Sequence, residues 1–221
     1  MLDVLEAIKK RGSVRAFLSK PVEKKLIETI LDVSARAPSG VNSQPWHVCV
    51  LQGDVKDNLS QKIIKARHGG VEQHPDYTYY PKVWPEPFKA RRKECGIALY
   101  KSLDIKREDV ERRNQVWEDN YRFFGAPVGL IFYFDKFLSE GSLVDMGMFV
   151  ENVMLAALHF GLGTCSQAAL AEYPDIVRKE LSISDDYHIL CGMSLGYPDL
   201  EAPVNQYSLS REPVRNFVKF L

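Results

Sequence analysis

The sequence has no excess of either charge and no long apolar run. Lysine plus arginine equals aspartate plus glutamate at 29 each in a chain of 221 residues, so no net field attracts nucleic acid or an anionic membrane. No stretch reaches the ~18 apolar residues that a membrane span requires. The N-terminus, MLDVLEAIKKRG, predicts an amphipathic helix rather than a signal peptide. We therefore expect neither a nucleic-acid nor a membrane partner.

Cysteine is scarce, and no two cysteines form a C-x-x-C pair. Three of the four lie within apolar runs, where a free thiol behaves as a small hydrophobic group; the four are Cys49, Cys95, Cys165 and Cys191. This usage indicates a reducing environment and predicts a cytoplasmic protein.

Motifs for metal and dinucleotide binding are also missing. The five histidines show neither H-E-x-x-H nor a close His/Cys spacing, so we expect no catalytic metal. Gly161 and Gly163 begin a G-x-G, but Ser166 stands where the third glycine of a dinucleotide fingerprint belongs. The chain therefore lacks a Rossmann motif.

The segment 192–196, GMSLG, matches the G-x-S-x-G nucleophile elbow of α/β-hydrolases. That elbow requires a helix directly after the serine, and Tyr197 followed by Pro198 blocks one. The catalytic triad also requires a later histidine, whereas the last histidine is His188. These two features set the hydrolase interpretation aside.

Apolar periodicity and turn residues predict three or four strands and six or seven helices. The predicted helices are the N-terminal segment up to Gly12, the segment between Pro21 and Pro38, and ranges near 55–63, 89–103, 106–121 and 142–160. The predicted strands are 47–51, 128–134 and 188–195, of which 128–134 is apolar enough to be central and buried on both faces. Because the elements do not alternate as β-α-β, we expect a single α+β domain over residues 1–221.

The segment 69–88 combines four prolines with five aromatic residues. The prolines prevent regular structure, while the aromatic content is too high for a solvated linker. We expect this segment to cover something, and we interpret the region of about 69–124, with its two charged helices, as an inserted lid.

The last eight residues, VRNFVKFL, are unusually apolar for a chain terminus. Termini commonly fray in water, so something is expected to cover this one. Two alternatives are open, docking onto the same chain and packing against a second subunit.

Arg11, Ser13 and Arg15 alternate just after the first predicted helix, with Gly12 between them. Alternation places both guanidinium groups on one side, and glycine lets the backbone approach a ligand closely. Guanidinium forks bind phosphate with two hydrogen bonds. The segment is therefore a candidate anion site, although two isolated arginines are more often simply solvated.

The loop PSGVNSQPW, 38–46, places four hydrogen-bonding side chains between two prolines. Proline restricts the backbone, so the loop is preorganised. An ordinary helix-to-strand connection uses the same turn-forming residues, and this loop alone does not decide between the two interpretations.

Together, and in this order, RGSVR and PSGVNSQPW resemble the flavin-binding signature of the nitroreductase family. GLGTCSQAAL at 161–170, GMSLGYP at 192–198 and Arg211 extend the resemblance over nearly the whole chain. It implies a central, mostly antiparallel sheet flanked by helices, in an intertwined homodimer. It also implies an FMN-dependent oxidoreductase that uses NAD(P)H to reduce nitroaromatics and quinones by two-electron ping-pong transfer, closest in general character to nitrobenzoate-type enzymes.

Two other functions remain open. The same flavin site serves reductive dehalogenation in some relatives, and a flavin-binding protein without turnover belongs to a different class. No residue of this chain is assigned as a catalytic acid or base, since flavin and solvent supply the protons.

The resemblance assigns cofactor contacts residue by residue. Arg11 and Ser13, with Gly12 between them, correspond to the residues that hold the FMN phosphate and ribityl chain, and Arg211 corresponds to a distal arginine that completes the phosphate clamp. Arg15 corresponds to the cation beside the flavin N1 and O2, where it stabilises the negative charge of the reduced ring.

Two further stretches carry the remaining implied contacts. One reaches FMN from the partner subunit and comprises Pro38, Ser39, Gly40 and Asn42. The other faces the flavin edge through its backbone, with the Ala168 amide as a donor to N5, and comprises Ser166, Gln167, Ala168 and Ala169.

The segment 120–127, NYRFFGAP, lies where relatives place residues close to the flavin. Asn120 and Phe124 are candidate substrate contacts, and Arg122 is a further candidate. In the alternative, Tyr121, Phe123 and Phe124 are only core anchors at the start of a buried strand.

Overall fold

The computed structural model describes residues 3–221. Within this range it contains seven α-helices, which are α1 (Val4–Lys10), α2 (Lys24–Ser34), α3 (Gly53–His68), α4 (Phe88–Ser102), α5 (Val110–Glu118), α6 (Gly141–His159) and α7 (Pro174–Leu181). The four strands in the same range are β1 (His47–Gln52), β2 (Val128–Asp135), β3 (Gly163–Gln167) and β4 (Tyr187–Gly196). Short 3-10 turns connect several of them.

The four strands form one sheet in the order β1-β2-β4-β3, and every neighbouring pair is antiparallel. β2 pairs with β1 on one side and with β4 on the other, and its first five residues are all buried. The α+β prediction and the central position of this strand are confirmed.

The two faces of the sheet are covered by different helices. Alternation along β2 directs Leu130 and Phe132 to one face, where they join a core that includes Phe149 of α6. Ile131 points to the other face and packs in a second core with Leu59 of α3. Helices therefore flank the sheet on both sides.

α6 is the one helix, among the described residues, that is long and apolar enough to cross a membrane by length and composition. The expectation that no such stretch exists was therefore too strict. The helix is placed as a core element, because Met146, Phe149 and Val153 are buried against the sheet.

Several boundaries differ from the prediction. α5 begins at Val110 rather than near 106, because the Asp109 side chain accepts a hydrogen bond from the Lys106 amide (2.9 Å) and closes a turn there. Neither β3 nor α7 was among the segments for which sequence patterns predicted a range. At the N-terminus, the Asp3 side chain caps α1 by accepting from the Glu6 amide, and the first two residues of that predicted helix lie outside the described residues.

The region 69–124 is built differently from the sheet. Residues 69–87 form no helix or strand, as predicted, and neither α4 nor α5 contains a buried residue. The C-terminal segment is also uncovered, with Phe217 68% and Phe220 90% exposed. The alternative in which this tail docks onto its own chain is therefore wrong.

Candidate active site

The RGSVR segment lies directly beside β3. The Val14 amide donates to the Thr164 carbonyl (2.9 Å), and Ser13 forms an isolated parallel bridge with Thr164. A Cβ at Gly163 would lie 2.6 Å from the Val14 side chain, so this close approach requires glycine. Two motifs separated by about 150 residues are thus joined through the backbone.

The GMSLGYP motif reaches the same place from the end of β4. The Leu18 amide donates to the Tyr197 carbonyl (2.9 Å), and Phe17 bridges Pro198. Gly196 pairs with Gly163 across the sheet. Three of the four sequence blocks therefore converge at this corner of the sheet.

The Arg15 guanidinium is held by residues from distant parts of the chain. Its NH1 donates to the Tyr207 hydroxyl (2.9 Å), and its Cζ lies 6.0 Å from the Phe124 ring centre. The Arg15 amide donates to the Asn205 side chain (2.8 Å), whose Nδ2 donates to the Ala16 carbonyl (2.8 Å). The cation is therefore fixed in place, as a preorganised electrostatic group requires.

Sequence reasoning missed Asn205 and Tyr207. About 190 residues separate them from Arg15, and neither belongs to a recognisable motif. Burial raises the pKa of Tyr207, while the charge of Arg15 opposes that shift. The phenol therefore stays neutral near pH 7 and accepts the hydrogen bond from Arg15.

Arg11 retains binding capacity at the end of α1. Its buried Nε has no hydrogen-bond partner, and Glu151 lies 3.6 Å away. The ion pair with Glu151 offsets part of the burial cost, but at this distance it leaves the Nε–H without a hydrogen bond, and a buried donor without an acceptor is costly. This nitrogen fits a phosphate oxygen in a way that a merely solvated arginine would not.

A cavity of about 200 Å³ adjoins Arg15 and Phe124. The chain from Leu99 in α4 to Asp119, just after α5, supplies most of its wall. The apolar lining is Leu99, Leu103, Ile105, Val116 and Val204, and the other polar groups are Arg112, Gln115 and Asp119. Burial raises the pKa of the Asp119 carboxyl, and the Arg122 charge opposes the shift.

In the stretch from Ser166 to Ala169, at the end of β3, the longest side chain is buried, so the backbone is left to face a ligand. Gln167 is buried, and its side chain donates to the Asn120 carbonyl (2.6 Å) while accepting from the Ser194 hydroxyl (2.6 Å). Ser166 is exposed. Ala168 begins the 3-10 turn Ala168–Ala171, so no carbonyl within that turn can accept from its amide.

The candidate substrate contacts separate into two groups. Tyr121 and Phe123 are fully buried, so the core interpretation applies to both. Phe124 is half-buried beside Arg15, with a left-handed φ of 51°. The Asn120 side chain donates to the Trp117 carbonyl (3.0 Å), and Arg122 pairs with acidic residues of the preceding turn, Glu118 and Asp119.

The loop from Pro38 to Gln44 stands exposed in a defined shape. Val41, Asn42 and Gln44 all have positive φ, which is uncommon outside glycine. The Ser39 hydroxyl accepts from the Gln44 amide (3.0 Å), and the Gly40 amide donates to Asp145 of α6 (3.2 Å). The loop is therefore preorganised, with Pro38, Gly40 and Asn42 open to solvent.

Arg211 lies apart from this arrangement. Its NH1 donates to the carbonyls of Leu209 and Ser210 (3.1 Å each). It lines a separate cavity of about 570 Å³ together with Arg91 and Glu212. The structure brings Arg15 to the β3 corner and leaves Arg211 with this second cavity, so the distal clamp stays a prediction.

An antiparallel sheet flanked by helices, with a fixed arginine and the free amide of a 3-10 turn near the end of β3, defines an α+β protein suited to hold an anionic cofactor. The chain belongs to the nitroreductase family, whose model matches residues 8–197. It is 36% identical over 217 residues to a chloronitrobenzene nitroreductase of Comamonas testosteroni, covering 98% of this chain and 96% of the relative.

Two further relatives agree. A 4-nitrobenzoate reductase of Pseudomonas putida is 37% identical over 211 residues, covering 96% of this chain and 92% of the relative. The crystal structure of the FMN- and NADPH-dependent nitroreductase NfnB from Sphigopyxis sp. strain HMH superposes with a TM-score of 0.96 at 36% identity, covering 100% of this chain and 99% of that one.

Proposed function

We propose that this protein is an FMN-dependent NAD(P)H oxidoreductase that reduces nitroaromatics and quinones. The observation that carries the proposal is the convergence of RGSVR, the β3 stretch and the end of β4 at one corner, where Arg15 is fixed by Tyr207. The full-length similarity to nitrobenzene- and nitrobenzoate-type reductases supports the substrate class.

The residues at this corner fit FMN. The Nε of Arg11, which makes no hydrogen bond, and the hydroxyl of Ser13 would hold the phosphate and ribityl chain. Gly12 lies between them, and a Cβ there would meet only the Lys10 carbonyl at 4.0 Å. The amides and small side chains of Ser166, Ala168 and Ala169 would face the ring edge, while Gln167 supports them from below.

When bound, FMN accepts a hydride from NAD(P)H and delivers two electrons to the oxidised substrate. The Arg15 guanidinium would stabilise negative charge at the site. Phe124 and the apolar wall of the adjoining cavity exclude water and accept a planar ring. Solvent reaches the exposed side of the site and supplies protons.

We propose that residues 69–124 act as the lid that selects planar substrates. The segment carries Tyr77, Tyr79, Tyr80 and Trp84 in consecutive ring contacts with centres 4.6 to 6.2 Å apart. Low burial of α4 and α5 is typical of segments that open and close. Asn120 and Phe124, at the end of this region, are proposed as substrate contacts.

The working unit is proposed to be a homodimer. Three surfaces support this proposal, namely the strained and exposed loop 38–44, the apolar C-terminal tail, and the exposed apolar residues Val4, Leu5 and Ile8 of α1. Pro38, Ser39, Gly40 and Asn42 would then reach the partner's FMN. Sedimentation equilibrium of the chain lacking residues 214–221 is expected to show monomer with reduced FMN content.

A cytoplasmic location is part of the same proposal. All four cysteines are free, and Cys165 and Cys191 are buried. Burial raises the pKa of both thiols, which keeps them protonated and unreactive. Free structural thiols suit a reducing compartment.

The test is an anaerobic double-mixing experiment on the purified protein. Mixing with NADPH is expected to bleach the visible flavin band, and a second mix with 4-nitrobenzoate is expected to restore it. Recovery with a halotyrosine but not with the nitroarene would instead indicate dehalogenation. A yellow protein that NAD(P)H does not bleach would be a flavin-binding protein without turnover.

A further inference from the structure

A buried ion pair holds the start of the aromatic segment. Arg178 of α7 is 5% exposed, and its NH2 donates to Asp76, which also accepts from the Ile189 amide of β4 (2.7 Å). The same guanidinium donates to the Tyr187 carbonyl (2.9 Å) and to Asp175 (3.2 Å). Asp76 is thus fixed between a helix and a strand by directional bonds on two sides.

The next residue extends this attachment toward the proposed flavin site. The Tyr77 hydroxyl donates to the Leu190 carbonyl of β4 (2.6 Å). Cys191, directly after Leu190, has its sulfur 3.8 Å from the Ser166 hydroxyl. Tyr77 is therefore bonded to the residue next to Cys191, and Cys191 in turn contacts Ser166 of the stretch that is proposed to face the flavin.

Beyond Tyr77 the character of the segment changes. The rings of Tyr79, Tyr80 and Trp84 contact one another edge-on or tilted, and Trp84 lies under the Arg92 guanidinium at 5.1 Å. Tyr79 and Tyr80 are both more than half exposed. The outer rings are thus partly exposed, whereas Asp76 and Tyr77, which precede them in the chain, are bonded to α7 and β4.

We propose that the Asp76–Arg178 pair is a positioning pair, which sets where the outer rings of the aromatic segment stand over the site and thereby which planar substrates bind. This inference rests on the proposed function. A buried ion pair contributes little net stability compared with apolar packing, but its directional bonds restrict the arrangement of the groups it joins.

Besides the Arg178 bonds, α7 is held in the fold by contacts that do not involve Asp76. Val177 and Ile176, on the same helix, pack in the second core with Tyr173. The neighbouring pair between Lys62 and Glu180 (2.5 Å) also joins α7 to α3, away from the aromatic segment. Glu180 therefore supplies a matched control on the same helix.

The experiment compares D76N and R178K with the control E180Q in the FMN-loaded enzyme. D76N is expected to raise the KM for 4-nitrobenzoate by about 10-fold with kcat changed by less than about 2-fold, the pattern of a lost substrate-binding contact. R178K keeps the charge but loses the fork, so its KM is expected to lie between those of D76N and wild type. FMN affinity and the KM for ferricyanide, a small non-aromatic acceptor, are expected to stay unchanged.

Two results would overturn the inference. One is an unchanged nitrobenzoate KM in D76N and R178K. The other is a parallel fall of FMN affinity, thermal stability and the kinetics with both acceptors, which would make the pair structural. If the wild-type chain binds no FMN, the proposed function fails, and hydrogen exchange decides the pair: faster exchange confined to residues 78–87 in D76N supports positioning, and unchanged exchange contradicts it.

Discussion

The central sheet and the region 69–124 are held together by different physical means. In the sheet, β2 is buried residue after residue, and α6 covers it with Met146, Phe149 and Val153. In the outer region, α4 and α5 bury no residue completely, and the aromatic rings stand partly in solvent. The contrast teaches that the sheet is held by continuous apolar burial, whereas α4 and α5 of the outer region are not.

Polar bonds join the two regions in addition to the apolar packing of Tyr121 and Phe123 in the second core. Glu172 accepts from the Tyr121 hydroxyl and from the Gln73 side chain, and its carbonyl accepts from the His74 amide (3.1 Å). Gln167 joins the Asn120 carbonyl in the same way. Directional bonds fix orientation with little net stability, so the outer region can be positioned accurately while remaining easy to displace.

The largest expected effect separates the two regions by stability. Replacing Phe132, which is fully buried in β2, with alanine is expected to cost about 3–5 kcal/mol in the free energy of unfolding. The matched change F88A, at an exposed ring of α4, is expected to cost less than about 1 kcal/mol. Urea unfolding of both variants measures the difference, and similar losses would remove the contrast.

The second effect concerns Arg15, which stands where the regions meet. R15Q retains a donor for Tyr207 but loses the charge, so the flavin reduction potential is expected to fall and its reduction by NADPH to slow by about 100-fold. Dye equilibration and stopped-flow absorbance measure the two quantities. K24Q, which removes an exposed charge on α2, is the control, and a potential unchanged in R15Q would disprove the assigned role.

The smallest effect is a pH dependence at the junction. Burial raises the pKa of Glu172 above its ordinary value of 4.5, while the Tyr121 hydrogen bond and the Arg67 charge oppose the shift. Because the folded state favours the neutral acid, this group's contribution is fully present below pH 4.5 and is lost as pH rises through the folded pKa. E172Q is therefore expected to gain on wild type as pH rises, by less than about 1 kcal/mol given the partial solvent screening. Thermal melts of both proteins between about pH 3.5 and 7 measure this. A melting temperature of E172Q that falls relative to wild type as pH rises would contradict the prediction.

The sequence predicted the regions where local pattern and burial agree. The apolar run of β2 and the long apolar helix α6 are identified because burial leaves a continuous signal. β3 gives no such signal, since GTCSQ is short and partly polar and becomes a strand only by pairing with β4. The start of α5 depended on one side-chain bond from Asp109, which no periodicity describes.

The site follows the same division. Alternation in RGSVR offered an anion site only as one of two interpretations, and the assignment of Arg11 and Arg15 to a cofactor came from the family resemblance and stays a prediction; the structure shows Arg15 held by Tyr207 and an Arg11 Nε without a hydrogen bond. The supporting residues Asn205 and Tyr207 were out of reach, because their role exists only once the chain ends have met. Phe124 also needed the fold, since two consecutive left-handed residues bury Phe123 and leave Phe124 half-exposed beside Arg15.

The bonds from Asn205 to Arg15 and Ala16 bear on the order in which the chain folds as it is synthesised. They join positions 190 and 189 residues apart, so Arg15 and Ala16 wait for a partner that is made much later. At typical synthesis rates of about 5–20 residues per second, that wait is roughly 10–40 seconds. Over that interval the growing chain can assemble its early helices, but Arg15 has no partner in place. The Arg15 backbone is therefore locked by Asn205 only after residue 205 has been made and folded back onto the sheet.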